Sequence, residues 1–263
     1  MKKILLLFTI ALLSSNAIAQ ENQDKLYLIF EFMKVDNDQQ AAYMETESFW
    51  QKIHEQRVKN GDIIGWDLWV LQPGGEDQGY QYMTVNLYSD PVKMFEGSGD
   101  FQAALKAAYP NMSEDELNKN YNATSKSRDL AVRIYLEQID GTKGEFDIPL
   151  GTVAAINLMK VAPGDFGKYE KAESEVFKPF HQKEVDEGRR ASWGLLRYMA
   201  PGGSETFATH ITVDMYKDYN QVFMENNSDG PAPTADQQKA MQEGVASRDL
   251  KYRYMATLIK RAR

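Results

Sequence analysis

The chain states most of its sequence twice. Phe32-Met33-Lys34-Val35 returns as Leu158-Met159-Lys160-Val161, Trp66 is answered by Trp193, and Pro73-Gly74-Gly75 by Pro201-Gly202-Gly203. Ser127-Arg128-Asp129-Leu130 closes the first copy and Ser247-Arg248-Asp249-Leu250 the second. Within each copy runs a stretch of helical spacing: Tyr43, Trp50, His54, Val58 and Gly61, then Tyr169, Phe177, His181, Val185 and Gly188. The matches keep one order with only small insertions. Solenoid repeats recur many times at periods of about 20–50 residues. A long period present only twice means two sibling domains.

The first residues carry a different signal. Lys2 and Lys3, the apolar run Ile4 to Leu13 and the ending Ala17-Ile18-Ala19 have the layout of a Sec-type signal peptide over residues 1–19, with cleavage before Gln20. An exported protein, periplasmic or secreted, is expected. No later segment approaches the roughly 20 apolar residues of a membrane span. The sequence contains no cysteine, which excludes disulfides, thiolate metal sites and a lipid-modified cysteine. Stability must therefore come from the core. With 30 Lys and Arg against 38 Asp and Glu the net charge is −8, and loss of Lys2 and Lys3 makes the mature chain more acidic. Nucleic acid, bound by neutralising phosphates, is a poor partner for such a chain. The basic end, Lys260, Arg261 and Arg263, reads as a solvated terminus.

Each copy reads strand, helix, strand, strand, helix, strand. Tyr27 to Val35 is rich in aromatic and aliphatic residues, and Asp38 to Asn60 carries helical spacing that stops at Gly61. Ile63 to Leu71 and Gln81 to Tyr88 are strands on either side of the Pro-Gly-Gly turn. Ser113 with Glu116, and Thr234 with Gln237, mark capping boxes of the second helical region. Leu130 to Ile139 and Leu250 to Ile259 are the closing strands. The expected domains are residues 20–139 and 152–263, joined by a Gly- and Pro-containing linker at 140–151.

The order βαββαβ is that of a ferredoxin-like unit, an antiparallel sheet with its helices on one face. Each copy leaves one sheet face open, and packing the two open faces together buries both. By this element order and duplication the chain resembles the dimeric α+β barrel superfamily in its fused form. The resemblance implies an α+β fold with two tandem ferredoxin-like halves packed as an intrachain barrel. Its members include cofactor-free oxygenases, haem-degrading enzymes, haem proteins similar to chlorite dismutase, dye-decolorising peroxidases and sugar mutarotases. Several of them place a pocket between the helical layer and the sheet.

Three histidines stand out as candidate catalytic groups. Tyr43, Glu47, Trp50, His54 and Val58 fall at steps of four, three, four and four, and Tyr169, Glu173, Phe177, His181 and Val185 at steps of four throughout. Both sets form one helical stripe, which turns His54 and His181 toward the sheet. A sheltered imidazole beside a carboxylate and an aromatic ring suits general acid/base chemistry or haem ligation. The plain alternative is a packed core histidine inherited by duplication. The third, His210, has Tyr82 as its counterpart, and this asymmetry favours the second half as the site.

The strands supply the ligand-binding candidates. Alternation puts Glu31, Thr84, Asn86, Tyr88, Arg133 and Tyr135 on one parity, and Phe30, Phe32, Val85, Leu87, Ile134 and Leu136 on the other. The second copy offers Asn157, Thr212, Asp214, Tyr216 and Arg253, with Phe177 and Trp50 as aromatic walls from the helices. Arginine among carboxylates at mid-strand is a structural ion pair or a ligand clamp. Pro-Gly-Gly is turn chemistry, since no phosphate-loop context accompanies it. The three histidines lack zinc or copper spacing, so no metal is expected. No motif demands a cofactor, although haem stays open through the resemblance, with His181 as axial ligand and Arg197 on the distal side. The expected function is an exported protein that binds a small aromatic or apolar molecule and uses a pocket histidine as acid/base. A haem protein similar to the chlorite dismutase group and a non-catalytic interaction module are the alternatives. The expected partners are a small molecule and, as an open option, a second copy of the chain.

Overall fold

The structure is a computed structural model that describes residues 25–224 and 233–263. The expected signal peptide lies outside the described residues. The first half runs β1 (Tyr27–Lys34), α1 (Gln40–Lys59), β2 (Gly65–Leu71), β3 (Tyr82–Tyr88), the helices α2 (Pro91–Glu96), α3 (Phe101–Ala108) and α4 (Glu114–Ser127), then β4 (Asp129–Gly141). The second half repeats the order with β5 (Val153–Lys160), α5 (Phe166–Ala172), α6 (Lys178–Asp186), β6 (Ser192–Ala200), β7 (His210–Tyr216), α7 (Tyr219–Val222), α8 (Ala235–Ala246) and β8 (Asp249–Ala262). Both capping boxes form, with Ser113 and Thr234 at the N-caps of α4 and α8.

The eight strands close into one barrel in the order β1-β3-β2-β8-β5-β7-β6-β4. Each half contributes a four-stranded antiparallel sheet, and the halves meet by backbone pairing of β2 with β8 and of β4 with β6. The open faces meet, as the sequence predicts, but the sheet edges are joined as well. Closure removes every unpaired edge, which an open sheet would leave as a row of unsatisfied N–H and C=O groups.

Strand alternation sorts the side chains between two layers. Phe30, Val85, Ile134, Leu136, Ile156, Val213 and Ala256 point into the barrel and form a single core shared by both halves. The opposite parity packs under the helices, with Met33, Tyr43, Trp66 and Leu68 in the first half and Met159, Tyr169, Trp193 and Leu195 in the second. Burying each such large side chain contributes on the order of 1.5–3 kcal/mol. One end of the barrel is sealed by aromatic rings. Phe32 lies 4.7 Å from Tyr80, and the Tyr80 and Tyr254 hydroxyls are hydrogen-bonded at 2.8 Å.

The two long helices differ in one way that matters for function. α1 is regular throughout, whereas α5 and α6 are joined by a π turn over Glu173–Phe177. The sequence explains it. Trp50 follows Glu47 at a step of three but Phe177 follows Glu173 at a step of four, and a π turn absorbs one extra residue without breaking the helix.

Candidate functional site

A cavity of about 370 Å³ lies between the sheet of the second half and its helices. The first half differs at one end of this space, where Ile29, Met94 and Tyr135 fill it and Phe95 stacks on Tyr135 at 4.7 Å. The residues in register with them are smaller or more flexible: Ala155 for Ile29, Val222 for Met94 and Met255 for Tyr135.

Aromatic rings and cations wall the cavity. His181 stacks on Trp193 with ring centroids 4.9 Å apart. The matching His54 is held between two rings, Trp50 at 5.8 Å and Trp66 at 5.0 Å. The residue added at the π turn moves Phe177 out of the position Trp50 occupies, so that His181 keeps one ring face toward the cavity. Phe177 instead packs against α8 at Gly244, where a Cβ would stand 2.8 Å from the ring, and Arg248 lies over it at 5.8 Å. Arg190 lies over the Tyr216 ring at 5.5 Å.

The charges in the pocket are paired in a graded way. Arg248 Nε lies 3.2 Å from Glu173 Oε1, and Arg190 pairs with Asp214 and, at 2.8 Å, with Glu184. Asn157 Nδ2 donates to Asp214 Oδ2 at 2.8 Å and to Thr212 Oγ1 at 3.1 Å. Arg253 Nε donates to Asn157 Oδ1 at 2.5 Å, and among the described residues Arg253 has no carboxylate partner. His181 Nδ1 stands 3.9 Å from Glu184 Oε2, too far for a hydrogen bond, and is a buried nitrogen without a hydrogen-bond partner. The His181 imidazole and the Arg190 guanidinium hold the Glu184 carboxyl down to about 2, against the upward push of burial.

The structure thus brings His181, Phe177, Asp214, Tyr216 and Arg253 together at one cavity. It places the remaining sequence candidates elsewhere. His210 is fully buried outside the pocket, with its Nε2 donating to Glu170 Oε1 at 3.1 Å and its ring against Phe166 and Tyr169. Burial pushes its pKa down, with Arg197 adding to the effect against the pull of Glu170. His54 is buried between its two indoles, and burial with Arg57 nearby drives its pKa well below the ordinary value.

Glu31 and Arg133 form an ion pair, with Arg133 Nε donating at 2.8 Å and Thr84 Oγ1 donating to the same carboxylate at 3.1 Å. Together with Trp50 they line a wider hollow on the first half. Trp50 Nε1 donates to Thr124 Oγ1 at 2.9 Å. Asn86 and Tyr88 are buried and do not line that hollow. Arg197 is held by Glu137 and Glu170 beside His210. Arg197 does not line the cavity that His181 lines, so the two are not brought to one site for a haem. Among the described residues no cluster of His, Cys, Asp or Glu is able to hold a metal ion, and no helix is long and apolar enough to cross a membrane.

Arg190 and Ala155 are among the pocket residues that the sequence reading misses, and Glu184, which pairs with Arg190, is missed with them. The signal for them was the repeat itself. Arg190 falls where the first copy has the apolar pair Ile63-Ile64, and Ala155 where it has Ile29.

No protein-family model matches the chain, and no curated protein does. Solved structures do. A candidate monooxygenase from Fusobacterium nucleatum subsp. nucleatum is similar at 11% identity, over 90% of this chain and 94% of that one, with a TM-score of 0.52. A candidate monooxygenase from Lactobacillus acidophilus is similar at 10% identity, over 90% of this chain and 95% of its own, with a TM-score of 0.51. An anthrone oxidase-like protein follows at 11% identity, over 91% and 93%, with a TM-score of 0.51. At these identities the likeness is one of fold.

Proposed function

From the dimeric α+β barrel fold, which this chain carries with both halves in one polypeptide, we propose a function for the pocket of its second half. It binds a small molecule that has a flat apolar body and one anionic group. The body lies among Phe177, Trp193 and Tyr216, and Arg253 takes the anion. His181 is the group that gives or accepts a proton at the bound molecule, as its cavity-facing ring and unpartnered Nδ1 suit. Pockets of a few hundred Å³ with apolar walls and a few convergent polar groups are the usual form of a small-molecule site. A ligand with a ring system is in keeping with the anthrone oxidase-like protein that shares this fold. The leader sequence supports export as the setting.

One observation carries the reading. Where Arg133 in the first half is neutralised by Glu31, Arg253 in the second meets the neutral amide of Asn157 and keeps its charge for a ligand.

Calorimetric titration with 2-naphthoate, and with 2-naphthalenemethanol as its uncharged match, tests it. The expected result is saturable binding of the acid at one site, at least tenfold tighter than the alcohol and weakened at least tenfold by Arg253→Gln. Equal affinity of the wild type and Arg253→Gln for naphthoate overturns the role of the arginine. Unchanged binding in the His181→Ala, His54→Ala double variant, with any turnover also intact, removes the histidine from the mechanism.

A further inference from the structure

A second cavity, of about 380 Å³, lies inside the barrel at the end opposite the Phe32, Tyr80 and Tyr254 seal. Its walls are the inward residues Phe30, Met83, Val85, Ile156, Leu196 and Val213, and the segment after β4 crosses its mouth with Phe146 and Ile148. Protein interiors normally pack to a density that leaves few voids larger than a water molecule. An apolar void tends to stay dry and to accept apolar guests.

The repeat again shows where the space comes from. Asp67 follows Trp66 on β2, and Gly194 follows Trp193 on β6, so matching inward positions hold a carboxylate in one half and no side chain in the other. A Cβ built at Gly194 meets only the Asp140 carbonyl oxygen, at 3.9 Å.

Asp67 is the one carboxylate in this apolar wall, and it is 3% exposed. Arg263 Nη2 donates to its Oδ2 at 2.9 Å. The same nitrogen lies 2.8 Å from Oδ1 but out of line, so the pair is neutralised while Oδ1 remains a buried acceptor without a hydrogen bond. Burial raises the Asp67 pKa, and Arg263 draws it back. A buried acceptor left unsatisfied costs free energy, which a donor on a guest would recover.

We propose that the barrel lumen is a second binding site, for an uncharged molecule with an apolar, ring-sized body and one N–H or O–H donor that reaches Asp67. A carboxylate ligand is disfavoured because its charge would be buried among apolar walls with no free cation facing it, and a cation gains little because Arg263 already neutralises Asp67. The lumen and the helix-side pocket therefore select opposite chemistries.

Fluorescence titration of the full chain with N-phenyl-1-naphthylamine tests the proposal. The expected result is a saturable, blue-shifted enhancement at one probe per chain, with the N-methylated analogue, which lacks the N–H, at least fivefold weaker. Gly194→Leu fills the lumen and should weaken the probe at least tenfold while 2-naphthoate affinity at the helix-side pocket is kept. If Gly194→Leu loses its cooperative thermal transition, Ser192→Trp at the rim serves in its place and should show the same loss. No saturable signal in the wild type, or equal probe affinity in the folded lumen variant, overturns the site. Equal affinity for the two probes overturns the role of Asp67.

Discussion

Arg253 donates its Nε to the side-chain oxygen of Asn157, on the strand position where the first half sets Arg133 against the carboxylate of Glu31. One carboxylate replaced by an amide turns a self-contained ion pair into a cation beside a cavity. The first half keeps the arrangement of a structural pair, and the second departs from it at Asn157, two residues along the strand from the Ala155 that opens the space.

Asn157→Glu should restore the missing pair and switch the pocket off. A charge-assisted hydrogen bond contributes about 1.5–3 kcal/mol, so anion affinity is expected to fall by about ten- to a hundredfold. Titration with 2-naphthoate checks this, and retained affinity would separate ligand binding from the charge of Arg253.

Ala155→Ile should close the cavity from below by copying Ile29. Naphthoate binding is expected to disappear with little change in unfolding midpoint, because the added methylenes enter empty space. The reverse change, Ile29→Ala, digs a hole in a packed cluster and should cost about 2–4 kcal/mol in urea unfolding. A large loss for Ala155→Ile with no loss for Ile29→Ala would contradict the placing of Ala155 against open space and of Ile29 in a packed cluster.

Glu184 predicts an acid limb in the stability profile. Its carboxyl is held at about 2 in the folded chain, below the ordinary value of 4.5. A depressed acid stabilises the fold above its unfolded pKa, and this stabilisation is lost as pH falls from about 4.5 toward 2. On the order of 2–3 kcal/mol is at stake. Urea unfolding between pH 6 and pH 2 should show a shallower decline in Glu184→Gln than in the wild type.

His54 predicts a limb at milder pH. Its pKa is lowered well below 6.5, so the folded state keeps it neutral while the unfolded chain protonates. Stability is therefore full above about pH 6.5 and declines below it, with a limiting slope of about 1.4 kcal/mol per pH unit for one proton. His54→Phe, which keeps a ring between Trp50 and Trp66, should remove this slope and leave naphthoate binding unaltered. An unchanged slope would show that His54 is not the group responsible.

Much of this was legible in the sequence because it is local or duplicated. Element order, both capping boxes and the alternation of Phe30 and Ile134 against Glu31 and Arg133 follow from periodicities that a single strand or helix displays. The grouping of His181, Phe177, Asp214, Tyr216 and Arg253 followed from the helix stripe and strand parity taken together. What stayed hidden depends on the absence of atoms or on contacts between distant segments. Ala155 and Gly194 look unremarkable until neighbouring elements surround them with space. The removal of His210 from the site depends on Glu170, a helix residue that nothing in the strand pattern points to. Pairing of β2 with β8 is invisible to strand periodicity, since an edge strand reads the same whether its outer side meets water or another backbone.

The closed barrel also sets an order of events. The outer edge of β2, formed early in the chain, finds its partner only in β8, the last of the described strands. Contacts so distant in sequence close slowly, because the loop entropy must be met before the pairing rewards it. Until residues 249–262 emerge, the first half holds an open edge able to recruit any exposed strand. The same duplication that makes one chain its own partner leaves a growing chain, or one cut before β8, ready to pair with another.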